Sequence, residues 1–162
     1  MLVSRTLAEV ASFIRPGITT LYLDKIAESF IRDNGATPAF KGYGGFPNTL
    51  CTSVNDEVVH GIPSDYVLKE GDIISVDRGV ILNGWYGDSA YTFPVGVIKE
   101  EIKRLLDYTR DALEEGVIEA VAGNNDRPAF RVRLFNRNIS TGSPADNNDN
   151  ISGLKIKLPP QN

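Results

Sequence analysis

The stretch that most constrains this chain runs from Asp72 to Phe93, DIISVDRGVILNGWYGDSAYTF. Asn83-Gly84 separates two runs rich in β-branched and aromatic residues, and that pair supplies the positive φ angles a two-residue type I′ hairpin turn requires. Such a turn pairs Leu82 with Trp85 and, counting back along both strands, Asp77 with Ala90 and Gly79 with Asp88. Side chains alternate between faces, so Ser75, Asp77, Gly79, Tyr86, Asp88, Ala90 and Thr92 share one side. Asp77 and Asp88 are then diagonal neighbours, roughly 7–8 Å apart at Cα and nearer at their oxygens. Hard divalent ions prefer oxygen ligands of this kind, and a two-metal site needs its ions about 3.5–4 Å apart. Ile74, Val76, Val80, Trp85, Tyr91 and Phe93 fall on the opposite, core-facing side. From spacing alone, two solvated aspartates on a wet face are the commoner outcome, because exposed Asp is ordinary.

A chain of 162 residues buries one ordinary core, which makes one domain the expectation. The net charge of −4 argues against a general nucleic-acid binder, whose affinity depends on a basic surface. Cys51 is the only cysteine, so an internal disulfide is excluded and a reducing, cytoplasmic location is expected. The opening residues, MLVSRTLAEV, include Arg5 and Glu9 and read as neither a signal peptide nor a membrane span. Charge is uneven along the chain. Residues 1–123 carry 11 Lys+Arg against 18 Asp+Glu, whereas residues 124–162 carry 6 against 3. That shift places a boundary near Asn124, with a polar tail over 124–162 that is expected to be disordered or weakly β.

The periodicity predicts a helix through Val3, Leu7, Val10, Ala11 and Ile14, stopped at Pro16-Gly17. A second helix carries Leu23, Ile26, Ala27, Phe30 and Ile31, with Thr20 as its N-cap and Gly35 past its end. Thr37 to Pro47 reads as a glycine-rich loop studded with aromatics. Short strands are expected at Leu50 to Val54 and Val58-Val59, a turn at Val67 to Asp72, and a long helix from Glu100 to Ala122. Arg78 falls on the packing side of the hairpin, opposite Ser89, where an unpaired guanidinium is costly to bury. Its presence there raises the expectation of a hairpin released from holding a perfect core.

The segments GYGGFPNTLCTSVNDEVVHGIP, LKEGDIISVD and NGWYGDSAYTFPVG occur in that order, and over Phe40 to Gly96 they resemble the first half of a type I methionine aminopeptidase. Weaker similarity extends from about Val3 to Asn124. The resemblance implies an α+β fold, the N-terminal half of the pita-bread arrangement over residues 1–123, and removal of the N-terminal methionine from nascent proteins. It implies Asp77 and Asp88 as metal ligands, and His60, the sole histidine, as a catalytic residue that contacts substrate and moves a proton. Imidazole titrates near neutrality, which suits that task. Phe40, Tyr43, Phe46 and Cys51 match positions lining the pocket for the methionine side chain, an apolar role that sulfur–aromatic contacts favour. Asn55 matches a position near a bound monovalent cation.

The family's complete site holds two divalent ions (cobalt, manganese, iron, zinc or nickel) with two Asp, one His and two Glu. This sequence offers no second His and no Glu after Glu119. The abrupt loss of similarity gives the expectation of a truncated or frame-disrupted gene, testable by translating the downstream DNA in the other frames. Expected partners are nascent polypeptide N-termini beginning with Met, with neither nucleic acid nor membrane, and self-association through an uncovered sheet face. The alternative is an inactive binding or partner-dependent relative. A related aminopeptidase or dipeptidase is disfavoured by GYGGFPNTLC.

Overall fold

Asn83 and Gly84 take φ angles of 52° and 79°, and the hairpin they close organises the sheet. A computed structural model describes residues 2–119 of the chain. Within them the order is α1 (Leu2–Ala11), α2 (Thr20–Asp33), β1 (Thr37–Pro38), a 3-10 turn at Tyr43–Gly45, β2 (Leu50–Val54), β3 (Ile73–Leu82), β4 (Trp85–Pro94) and α3 (Glu100–Glu119). The expected boundary at Asn124, the tail over 124–162 and the last residues of the long helix lie outside the described residues.

All strand pairs are antiparallel. β3 runs through the middle, paired with β4 along one side and with β2 and β1 along the other. The β3–β4 register joins Leu82 to Trp85, Asp77 to Ala90 and Gly79 to Asp88, as the turn type requires. α1 and α2 cover one face, where Val10, Leu23, Ala27, Leu50, Ile74, Val76 and Val95 form the main buried cluster. Each of the larger side chains contributes roughly 1.5–3 kcal/mol on burial.

Several local expectations are corrected. Val58 and Val59 form no strand and stand exposed, because their segment is needed as a loop leading to His60. The N-cap of α2 is Thr19, whose hydroxyl accepts from the Tyr22 N–H at 3.1 Å. The Thr20 hydroxyl instead exchanges hydrogen bonds with the main chain of Ser64. Trp85 is 81% exposed and Tyr91 is also exposed, since the ribbon's tip and outer strand outrun the helices beneath them.

Arg78 overturns the expectation of a relaxed hairpin. Only 1% exposed, its guanidinium donates to the Val3 carbonyl at 2.9 Å and to the Ser89 carbonyl at 2.6 Å. Its own strand, β3, is thereby tied to β4 and to the first turn of α1. A buried cation with carbonyl acceptors meets the condition for tolerable burial.

Candidate metal centre

The face of the sheet turned away from α1 and α2 carries both aspartates. Cys51 on β2 is directly opposite Asp77 on β3, and Asp88 on β4 is opposite Gly79, so three strands deliver Cys51, Asp77 and Asp88 to one surface. Asp77 is half-buried and Asp88 exposed. Burial, the charge of Asp88 and a side-chain hydrogen bond with Asp88 push the Asp77 carboxyl above the usual aspartate range, against the pull of the Arg78 main chain and of His60. Two acids this close resist being ionised together, and a cation between them removes that penalty.

The surroundings are set by close approaches. A side chain at Gly79 would meet Ala39 and the Phe40 ring at 2.7 Å, so the missing Cβ is what lets Phe40 lie against the sheet beside the carboxylates. Gly61 serves a similar end on the other side. A Cβ there would run into the Thr52 carbonyl. The Thr52 N–H donates to the Gly61 carbonyl at 2.8 Å, and the Gly61 N–H donates to the Ser53 hydroxyl at 3.2 Å. This lays the His60 loop along the edge of β2. His60 itself is exposed with a φ of 59°, a conformation that is uncommon outside glycine and enriched at functional positions.

Cys51 is buried, and its thiol is pushed up to about 11 by burial, with the charges of Asp77, Asp88 and Asp24 adding to the effect. It is therefore a neutral wall near neutral pH, not a nucleophile. The loop bearing the other aromatics closes on itself, with the Tyr43 N–H donating to the Phe40 carbonyl and the Phe46 N–H to the Tyr43 carbonyl, both at 2.9 Å. Phe40 and Phe46 are half-buried, whereas Tyr43 is 82% exposed. The structure thus gathers Phe40 and Cys51 with the two aspartates and His60, and leaves Tyr43 out in solvent. Asn55 commits both ends of its amide, donating to Asp72 at 2.9 Å and accepting from the Ile73 N–H at 3.1 Å. It borders a cleft with Thr20, Thr52, Val54, Ser64 and Tyr66, and Thr52 and Val54 belong to the helix-covered side.

One residue the motifs did not single out underpins this assembly. Asp24 is buried in α2 and accepts from the Thr49 and Leu50 N–H groups at 2.9 and 2.8 Å and from Asn48 at 2.9 Å. It thereby anchors the start of β2, one residue before Cys51. Its signal was present in the sequence: Asp24 adjoins Leu23 and lies one turn before Ala27, inside the apolar stripe of its helix.

The sequence pattern of metallopeptidase family M24 matches residues 1–126. The chain is 53% identical over 122 residues to methionine aminopeptidase 1 of Bacillus subtilis, covering 75% of this chain and 49% of that protein. It is 53% identical over 124 residues to a methionine aminopeptidase of Clostridium acetobutylicum, covering 76% and 50%. Among solved structures, methionine aminopeptidase from Rickettsia prowazekii superposes with a TM-score of 0.71 at 42% identity, covering 72% of this chain and 47% of that one. The chain spans about half the length of the curated relatives it matches.

Proposed function

The chain belongs to metallopeptidase family M24, and from that footing we propose that it carries the first half of a methionine aminopeptidase site, acting in the cytoplasm on nascent chains that begin with Met. The observation that carries this reading is the Asp77–Asp88 pair, set on one face of the hairpin within the matched region. The donors fit a hard divalent ion in kind, being two carboxylates whose mutual repulsion a cation relieves. Asp77 and Asp88 would hold it, and when bound it supplies Lewis acidity toward a peptide carbonyl. His60, on its loop along the edge of β2, is the group to exchange a proton with substrate. Phe40, Phe46 and Cys51 present an apolar, uncharged surface for an unbranched thioether side chain, with Tyr43 brought in from solvent.

In number the donors fall short. Among the described residues no group of three or more His, Cys, Asp or Glu side chains is arranged to hold a metal ion. That shortfall favours, as a second reading, a relative that binds without catalysing or that completes its site with a partner.

Calorimetric titration of cobalt or manganese into the purified chain, run beside an assay for methionine release from a Met-Gly peptide, separates the two. The catalytic reading expects metal uptake and release that both disappear in Asp77→Asn and Asp88→Asn. Uptake no tighter than about millimolar with no release overturns it, since two isolated carboxylates compete poorly for such ions.

A further inference from the structure

The cleft that Asn55 borders, at the start of α2, has a volume of about 270 Å³. That is room for one side chain or a small molecule, a little below the usual ligand pocket. Thr52 lines it from the helix-covered side of β2. Thr52 is only 2% exposed, and its hydroxyl, like that of Thr49, is buried with no hydrogen-bond partner among the described residues. A buried hydroxyl left unpaired is costly, so its place on the wall of a cleft calls for a reason.

The rest of the lining narrows what that hydroxyl would meet. Asp56 and Glu57 bring two carboxylates. One Glu57 oxygen accepts from the Val54 N–H at 2.7 Å. The other, like both oxygens of Asp56, has no partner among the described residues. The first turn of α2 offers nothing to an anion, because the Thr20 and Leu21 N–H groups already donate to the Tyr66 and Ser64 carbonyls at 3.1 and 2.9 Å. Both ends of the Asn55 amide are engaged. The Tyr66 hydroxyl donates to Asp72 at 3.0 Å, which leaves its oxygen able to accept. The surplus is therefore in acceptors and in negative charge. Lys69, whose ammonium lies 5.5 Å from the centre of the Tyr66 ring, forms no ion pair among the described residues. Val54, Ile62 and the Tyr66 ring add apolar surface.

We infer that this cleft binds a guanidinium group on an aliphatic stem, the chemistry of an arginine side chain. A planar fork of N–H donors answers several acceptors at once, here the Thr52 hydroxyl and the carboxylates of Asp56 and Glu57. The stem lies along Val54, Ile62 and Tyr66. A bare inorganic cation gains nothing from that apolar wall. Thr52 points to the opposite side of β2 from Cys51, so the cleft stands apart from the carboxylate face and does not depend on the catalytic reading.

The test is an NMR titration of the full chain without divalent metal, following the amide resonances of Thr52, Glu57 and Tyr66 as N-acetyl-arginine methylamide is added. A saturable shift at these positions is expected, weakening in salt. Binding is expected to fall about tenfold in Thr52→Val and in Glu57→Gln, each of which removes one partner of a charged ligand. Thr52→Val also removes the unpaired hydroxyl and is expected to unfold no more readily than the parent, so weaker binding there is not loss of fold. The uncharged N-acetyl-citrulline methylamide and potassium chloride, each at the same concentration, are expected to produce no such shift. Tighter binding of the capped arginine than of free arginine assigns the site to a peptide side chain, and the reverse order assigns it to the free amino acid; either supports the inference. No saturable shift, an equal response to the citrulline compound or to potassium, or unchanged binding in both variants overturns it and leaves the Thr52 hydroxyl to water.

Discussion

The two faces of the β3–β4 ribbon are written by alternate residues of the same strands and have little else in common. On one, Ile74, Val76 and Val80 are buried against helices, and even a guanidinium finds carbonyl acceptors. On the other, two acids stand within hydrogen-bonding reach of each other, and burial together with that proximity holds one of them above its ordinary pKa. The first face stabilises the fold. The second stores an electrostatic penalty that only a cation, a proton or a substitution can remove. A single residue of slippage would exchange the faces, which is why a turn that dictates register matters so much here.

The sharpest way to break the comparison is to damage each face in turn. Ile74→Ala is expected to cost about 2–5 kcal/mol in denaturant unfolding, through lost burial and the cavity left behind. Asp77→Asn, three residues on, should leave stability unchanged or raise it. A loss at Asp77 as large as that at Ile74 would mean the open face is structural after all. Arg78→Ala tests whether the buried cation belongs with the dry face. It is expected to cost about 1.5–3 kcal/mol, the usual range for hydrogen bonds from a charged group, and to loosen α1 as seen by hydrogen exchange.

The smallest effect is the most discriminating, because two aspartates should respond to pH with opposite sign. Burial pushes the Asp72 carboxyl up, but hydrogen bonds from Asn55, the Lys69 N–H and Tyr66 bring it below its ordinary value. Its contribution to stability is therefore present above the ordinary aspartate pKa of about 3.9 and is lost as pH falls through the lowered one. Asp77 is raised instead, so the folded state binds its proton more tightly and stability declines as pH climbs from the ordinary value through the raised one. Asp72→Asn should flatten the acid limb of a stability–pH curve. Asp88→Asn should bring the Asp77 carboxyl resonance down to lower pH by NMR titration. An Asp77 titration unmoved by that change would uncouple the pair.

Much of this was legible in the amino-acid order. The Asn83-Gly84 turn and strict alternation were enough for the full β3–β4 register, and the stripe through Leu23, Ala27 and Ile31 located α2. The α+β architecture, the first half of the pita-bread arrangement, agrees with the solved relatives. What escaped depended on distant partners. Nothing near Arg78 announces that its acceptor is the carbonyl of Val3, far back in the chain. Asp24 stands inside an apolar stripe, but the Thr49 and Leu50 N–H groups it serves lie far along the chain. Val58 and Val59 have strong β propensity, overridden by a chain that must bend to put His60 beside the sheet. At the site, the shared face of Asp77 and Asp88 was readable, whereas the roles of Gly79 and Gly61 as clearance for Phe40 and for the His60 loop needed three dimensions.

The grip of Arg78 on the backbone of Val3 has a practical corollary for anyone engineering this protein. Trimming the first turn of α1, or replacing it with a rigid fusion, would withdraw an acceptor from a positive charge sealed inside the molecule. Damage done at the amino terminus would then surface in the middle strand of the sheet, one residue from Asp77.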